Sequence, residues 1–327
     1  MLNNKHEIYD LKQMQSLPLR SKIIMTKNRI KQWYEHWDGE VYVSFSGGKD
    51  STVLLDIVRS LYPDVPAVFV DTGLEYPEIR DFVKSHENVT IVRPEMNFKE
   101  VIQKYGYPVA SKEIARKIQY AKKGAEWVKK YIDGSAVDAD GRPSRYVVSK
   151  RWLRLLNAPF KVSAYCCDVM KKRPADKYTK ETGRKPILGT MATESRIREQ
   201  AWMRTGCNSF KSKKQKSAPM SFWTEQDVLQ YIKKFNIPYC STYGEIVPTG
   251  EKGYNPITNE EFDILKTTQC DRTGCMFCVF GCHLEKEPNR FQRMKQTHPK
   301  IYDYCMKPIE EGGLGMKEVL DYIGVEY

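Results

Sequence analysis

The 327-residue chain has no long apolar run: nothing in it approaches the roughly eighteen consecutive apolar residues that span a bilayer. Its first residues, MLNNKHEIYD, lack the apolar core of a secretory signal, so a cytoplasmic protein without membrane attachment is expected. Acidic residues are in short supply, with 53 Lys and Arg against 41 Asp and Glu and a net charge of +12. That imbalance points to an anionic partner, either nucleotide or nucleic acid. The compositional marks of disorder are missing too, because 41% hydrophobic and 12% aromatic content are those of a folded globular chain. No internal period repeats. The nine cysteines are an odd number, and four of them fall between Cys270 and Cys282, which suits a metal or redox site in a reducing compartment better than a disulfide framework.

What is present is an alternation. VYVSF (41–45), PAVFV (66–70) and VTIV (89–92) are short β-branched and aromatic runs, separated by the helical patterns DSTVLLDIVRSLY (50–62) and YPEIRDFVKSH (76–86). Strand, helix, strand, helix, strand predicts a parallel sheet with right-handed crossovers, hence an α/β, doubly wound fold. PILG (186–189) reads as a further strand, and WTEQDVLQYIKKF (223–235) as a helix capped by Thr224. Residues 21–37 predict an amphipathic helix before the first strand, and 112–130 a strongly basic helical stretch followed by a polar turn. Beyond about Tyr239 the chain becomes rich in Gly, Pro and Cys. The expected organisation is an N-terminal helical segment (1–38), a nucleotide-binding α/β domain (39–238) with a helical insertion at about 111–158, and a small Cys-rich module (239–327).

The strongest motif is SFSGGKDSTVLL (44–55), where a strand ends and a helix begins. Gly47 and Gly48 let backbone approach a polyanion, and the amides of Lys49 to Ser51 face it at the helix N-terminus. Lys49 supplies a point charge, while Ser46 and Ser51 offer hydroxyls. The spacing is not that of the Walker loop. SGGKDS instead resembles the pyrophosphate loop of the adenine-nucleotide alpha-hydrolase (PP-loop) superfamily, with its Rossmann-like fold, and later segments are similar to its phosphoadenylyl-sulfate (PAPS) reductase family. DTGLEYPE (71–78), LGTMATESRIRE (188–199) and PMSFWTEQDVLQYIKKFNIPYCSTYGE (219–245) carry that likeness. The resemblance implies that Ser44, Ser46, Gly47, Gly48, Lys49, Asp50, Ser51, Asp71, Thr72, Gly73, Gly189, Ser195 and Arg198 surround an adenine nucleotide, with Lys49 and Asp50 as the catalytic pair.

Cys270, Cys275, Cys278 and Cys282 place four soft thiolates within a short Gly-containing stretch, CDRTGCMFCVFGC, which points to a metal site. The close spacing favours iron–sulfur ligation over zinc, which usually takes two separated knuckles, and does not decide the cluster type. The resemblance offers a second set. In adenylyl-sulfate reductases a Cys-Cys pair and a later Cys-x-x-Cys jointly hold a [4Fe-4S] cluster, and Cys166–Cys167 with Cys275 and Cys278 is similar to that arrangement.

The resemblance therefore implies an ATP-dependent enzyme that uses ATP with Mg²⁺. It would adenylate an acceptor, release pyrophosphate and assist sulfur transfer through an iron–sulfur centre, with a sulfur donor such as a cysteine desulfurase. PAPS reductases proper usually have a degraded phosphate loop and a terminal segment bearing a nucleophilic cysteine, whereas here SGGKDS is intact and the last residues are DYIGVEY. A sulfonucleotide reductase is the alternative, with Cys305 as a substitute nucleophile. A further alternative is a nucleic-acid-binding protein that keeps the nucleotide fold, its basic insertion docking tRNA or DNA.

Overall fold

The computed structural model describes residues 5–138 and 140–327; positions 1–4 and 139, inside the expected N-terminal segment and insertion, lie outside the described residues. The chain divides into two compact units, each assembled from separated stretches. The first comprises the residues up to Asp71, Glu75–Val92 and Ala175–Thr273, and the second Thr72–Leu74, Arg93–Pro174 and Gly274–Tyr327. The expected insertion and residues 274–327 of the Cys-rich stretch thus fold into one unit, while residues 239–273 stay with the sheet.

In the first unit, α1 (Ile8–Gln15) and α2 (Leu19–His36) precede β1 (Val41–Ser44), α3 (Lys49–Arg59), β2 (Ala67–Val70), α4 (Pro77–Lys84) and β3 (Val89–Val92). The second unit then contributes α5 (Phe98–Tyr105), α6 (Lys112–Lys122), α7 (Glu126–Ile132) and α8 (Lys150–Leu153). α9 (Arg173–Thr182), β4 (Lys185–Leu188), α10 (Arg196–Thr205), α11 (Glu225–Phe235), β5 (Ile246–Tyr254) and β6 (Glu261–Thr267) follow, and the chain ends with α12 (Arg290–Thr297), α13 (Pro299–Met306) and α14 (Met316–Ile323).

The sheet is four-stranded in the order β3-β2-β1-β4, and all three pairings are parallel. Val41 and Val43 on β1, Phe45 just beyond it, and Val53, Leu54, Ile57 and Val58 on α3 are fully buried. Such near-continuous apolar runs are what a parallel sheet covered on both faces requires. Chain order reverses at β1, since β2 and β3 lie on one side and β4 on the other. The carboxyl ends of β1 and β4 therefore flank the crevice where open α/β sheets take ligands.

α2 and α11 are locked together by polar groups inside the core. Lys22 Nζ lies 2.7 Å from Asp227 Oδ2, and Trp223 Nε1 donates to Thr26 Oγ1 at 2.9 Å. Asp227 also accepts from Thr224 N and Oγ1, so the expected Thr224 cap forms a reciprocal capping box. The basic stretch read as helical from 112 to 130 is two helices, broken at Gly124, whose φ of +73° a right-handed helix does not admit.

In the second unit Tyr107 ties three segments: its N–H donates to Lys161 O, its carbonyl accepts from Ser163 N, and its hydroxyl donates to Leu314 O at 2.8 Å. Around it α12 to α14 bury Phe291, Met294, Leu314, Met316, Val319 and Leu320. This end of the chain, though Cys-rich at its start, has an ordinary apolar core. No helix among the described residues is long and apolar enough to cross a membrane.

Candidate functional site

The loop after β1, which the resemblance assigned to an adenine nucleotide, lies within the first unit. Gly47 has φ +71°, and a Cβ there would stand 2.8 Å from Val83 Cγ2 and 2.9 Å from Ile79 Cγ2. The turn therefore needs glycine twice over, for its left-handed backbone and for its close approach to α4. Gly47→Ala is expected to cost about 2 kcal/mol through strain and overpacking, read as a lowered melting temperature. An unchanged melting curve would show that the turn has no such constraint.

Ser46 Oγ and Ser51 Oγ meet at 3.0 Å, and Ser51 Oγ donates to Gly48 O at 2.9 Å, closing the loop on the first turn of α3. Ser44 ends β1 in register with Val68 and Leu188. Gly189, just beyond β4, approaches the start of α3 so closely that a Cβ would lie 3.0 Å from Asp50 O.

Lys49 is buried, with only 3% of its surface exposed. Its ammonium donates to Asp271 O at 2.6 Å, pairs with Glu225 Oε1 at 3.0 Å and lies 5.2 Å from the centroid of the Tyr243 ring. Its backbone N–H donates to Tyr243 Oη at 3.1 Å. Beside it opens a cavity of about 170 Å³ lined by Lys49, Asp50, Met191, Thr193, Glu194, Glu225 and Arg272. Burial pushes the Asp50 carboxyl above its ordinary value, opposed chiefly by the Lys49 charge. Asp50 Oδ1 is buried without a hydrogen-bond partner among the described residues.

Ser195 caps α10, accepting from Arg198 N, and the Arg198 guanidinium pairs with Glu194. Arg198 sits close enough to Asp50 and Arg272 for their charges to act on it, although burial is what mainly lowers its pKa. Asp71, at the end of β2, is held by Arg80 at 3.2 Å. Thr72 and Gly73 belong to the second unit, where Thr72 Oγ1 accepts from Leu74 N at 3.2 Å. Sequence reasoning assigned no role to Tyr243, Glu194, Glu225 or Arg272. They come from four separate segments, and only Glu225, in the first turn of a helix, carried a local electrostatic signal.

In the second unit Cys166, Cys167, Cys275 and Cys278 line one cavity with Leu74, Phe98, Pro108, Met170 and Lys171. The pair opens a π-helical turn (Asp168–Lys172), a distortion frequent at functional sites. Cys166 Sγ donates to Cys167 Sγ at 3.9 Å. That hydrogen bond is the main cause lowering the Cys167 thiol, with Lys112 and Lys171 adding to it, and it pushes Cys166 up.

Cys278 is pushed up by burial against the opposing Arg290 charge. Arg290 Nη1 donates to Cys278 O at 2.8 Å and is fixed by Glu285. The other two cysteines of the local set stand elsewhere. Cys270 belongs to the first unit, where its thiol donates to Arg272 O at 2.8 Å, and Cys282 is buried outside the cavity lining with its thiol pushed up to about 12. All nine cysteines are thiols.

Residues 40–139 and 148–280 match the family model of the phosphoadenosine phosphosulfate reductase domain. An uncharacterised protein of Methanocaldococcus jannaschii is 24% identical over 290 residues, 84% of this chain and 42% of that protein. A second protein of the same organism is 34% identical over 118 residues, 32% of this chain and 29% of its own length. The chain thus spans less than half the length of these two relatives. The adenosine 5'-phosphosulfate reductase of Staphylococcus haemolyticus is 24% identical over 276 residues, 79% of this chain and 87% of the enzyme.

Proposed function

Because the chain belongs to the phosphoadenosine phosphosulfate reductase family, a family of enzymes, we propose that it acts in sulfur metabolism on an adenine nucleotide held at the Lys49 loop, and that this nucleotide is ATP. The observation that carries the reading is the mixed lining of the cavity. Asp50, Glu194 and Glu225 stand in it beside Lys49 and Arg272. A pocket for a bare anion gains nothing from three carboxylates, whereas a polyphosphate that arrives with a divalent cation does.

Asp50, whose buried Oδ1 lacks a partner, and Glu225 are the groups that would hold Mg²⁺, which when bound neutralises charge on the departing phosphates. Lys49 and the amides at the start of α3 are fixed where negative charge develops as an acceptor oxygen attacks the α-phosphorus and pyrophosphate leaves. Arg272 supplies a second fixed cation on the cavity wall. The adenylated acceptor is then open to displacement by sulfur, with AMP as leaving group; a cysteine desulfurase is one source of that sulfur.

The cavity of four thiols supports an iron–sulfur centre in the second unit. Its remaining lining is apolar apart from Lys171, a soft and water-poor donor set. Among the described residues no three metal-ligating groups converge on a single point. Iron–sulfur clusters are held by cysteine thiolates, the donor set that this cavity offers. A bound cluster would supply electrons or polarise sulfur; Arg290, bonded to Cys278 O, fixes that end of the ligand loop, and Lys112 adds positive charge beside Cys167.

A second reading, sulfonucleotide reduction by thiolate attack on adenylyl sulfate or its 3′-phosphate form, is favoured by the likeness to the staphylococcal enzyme. The burial of Cys305 opposes that residue as its nucleophile: it is 0% exposed and its thiol is pushed up by desolvation, so little thiolate forms. Binding of ATP and of adenylyl sulfate, each measured with Mg²⁺ and with a chelator, separates the readings. ATP should bind several-fold tighter with Mg²⁺. Tighter, metal-independent binding of adenylyl sulfate, with sulfite release in the presence of a thiol, would establish reduction instead.

A further inference from the structure

The basic segment of the second unit has a composition and a geometry that the adenine-nucleotide cavity does not use. From Lys112 to Arg154 the chain carries twelve Lys and Arg against five Asp and Glu. A merely solvated face interleaves its charges. Here four of the five carboxylates are occupied: Glu113 pairs with Lys117, Glu126 with Lys129 at 2.7 Å and Asp140 with Arg142 at 3.4 Å, while Asp133 accepts from Ser135. Among the described residues Arg116, Lys123, Lys130 and Arg145 have no carboxylate partner and are exposed.

Two aromatic side chains are exposed among these cations. Trp127 keeps 42% of its surface in solvent and Tyr146 keeps 38%. A tryptophan used only for packing would be far more covered. The Arg116 guanidinium lies 5.5 Å from the Trp127 ring centroid, and that of Arg145 5.5 Å from the Tyr146 ring. Tyr120 meets Trp127 edge-on at 5.4 Å and steadies it.

The two arginine–aromatic pairs also share one scaffold. The buried Lys117 ammonium bonds Glu113 and the Tyr146 carbonyl and stands 4.4 Å from the Tyr131 ring centroid, while Val148 N donates to Tyr131 O at 2.8 Å. α6, α7 and the 144–148 loop are thereby fixed to one another before any partner arrives.

We propose that this surface of α6, α7 and the 144–148 loop docks a single-stranded nucleic acid, its phosphates on Arg116, Lys123, Lys130 and Arg145 and its unpaired bases stacked on Trp127 and Tyr146. Charge complementarity selects a polyanion, and exposed rings with a guanidinium alongside select one whose base faces are free. A duplex would use the cations and leave the rings idle. The inference is independent of which reaction the nucleotide cavity runs.

The test uses the full chain and fluorescein-labelled thirty-residue oligo(dT) and oligo(U), with a duplex of equal length, titrated by anisotropy across a salt series. The single strands should bind tighter than the duplex. Trp127→Ala should weaken them about tenfold, as loss of one stacked base does, and Trp127→Phe should restore most of that. The combined variant Arg116→Glu, Lys123→Glu, Lys130→Glu and Arg145→Glu should flatten the log–log salt slope by about 0.7 for each phosphate that a cation no longer neutralises. Its unchanged melting temperature would show that it is folded. Absence of binding at low salt, equal affinity for duplex with Trp127→Ala unaffected, or an equal loss on reversing Lys211 and Lys213 in the first unit would each overturn the proposal.

Discussion

Lys49→Ala should lower nucleotide-dependent turnover by about 10²- to 10³-fold while leaving the fold in place, because it removes a charge already fixed where the transition state needs it. The ammonium has little freedom: Asp271 O at 2.6 Å, Glu225 at 3.0 Å and the Tyr243 ring hold it inside a buried wall. Orientation is thus settled before the nucleotide binds, and the effect belongs mainly in kcat rather than KM. The structural cost is smaller. The Glu225 side chain is 49% exposed and can rehydrate once Lys49 is gone, so stability should fall by only about 1 kcal/mol. Lys49→Arg keeps the charge but not the shape, and should rescue only part of the rate. Steady-state kinetics and a thermal melt on the same preparations check both halves. Equal turnover in Lys49→Ala and the parent protein would remove the loop from the chemistry.

The sheet was legible because its signals are local. Val89–Val92 coincides with the strand read from β-branched residues alone, and β1, β2, β4 and α11 differ from their sequence boundaries by one or two residues. Thr224 could be read as a cap because the group it meets, Asp227, is three residues away. The phosphate loop was legible for the same reason: glycines, charge and hydroxyls fall within six consecutive positions. Its walls were not. Tyr243, Arg272 and Glu194 reach Lys49 and Asp50 only through the tertiary fold, and a tyrosine whose hydroxyl orders a backbone amide looks in sequence like any core aromatic. The cysteines show the limit most plainly. Proximity along the chain groups Cys270 with Cys275, yet a unit boundary falls between Thr273 and Gly274, and the thiols that share a cavity with Cys275 and Cys278 come from more than a hundred positions earlier.

That placement makes the largest compositional prediction specific. Protein purified without oxygen should be brown and contain iron and acid-labile sulfide, and both should be lost in Cys275→Ser and in Cys278→Ser, since a serine hydroxyl is a poor ligand for soft iron–sulfur centres. Cys166→Ser and Cys167→Ser should lose them as well, because both side chains line the same cavity. Cys270→Ser and Cys282→Ser should keep them. The Cys270 thiol is engaged with the Arg272 carbonyl, where a serine hydroxyl can also donate, and Cys282 is 1% exposed, so its loss should appear as a lowered melting temperature instead. Iron and sulfide assays with absorbance spectra across the six variants decide the matter. Retention in Cys166→Ser and Cys167→Ser with loss in Cys270→Ser and Cys282→Ser would assign the cluster to the local set of four, and stoichiometric zinc without sulfide would establish a structural metal in its place.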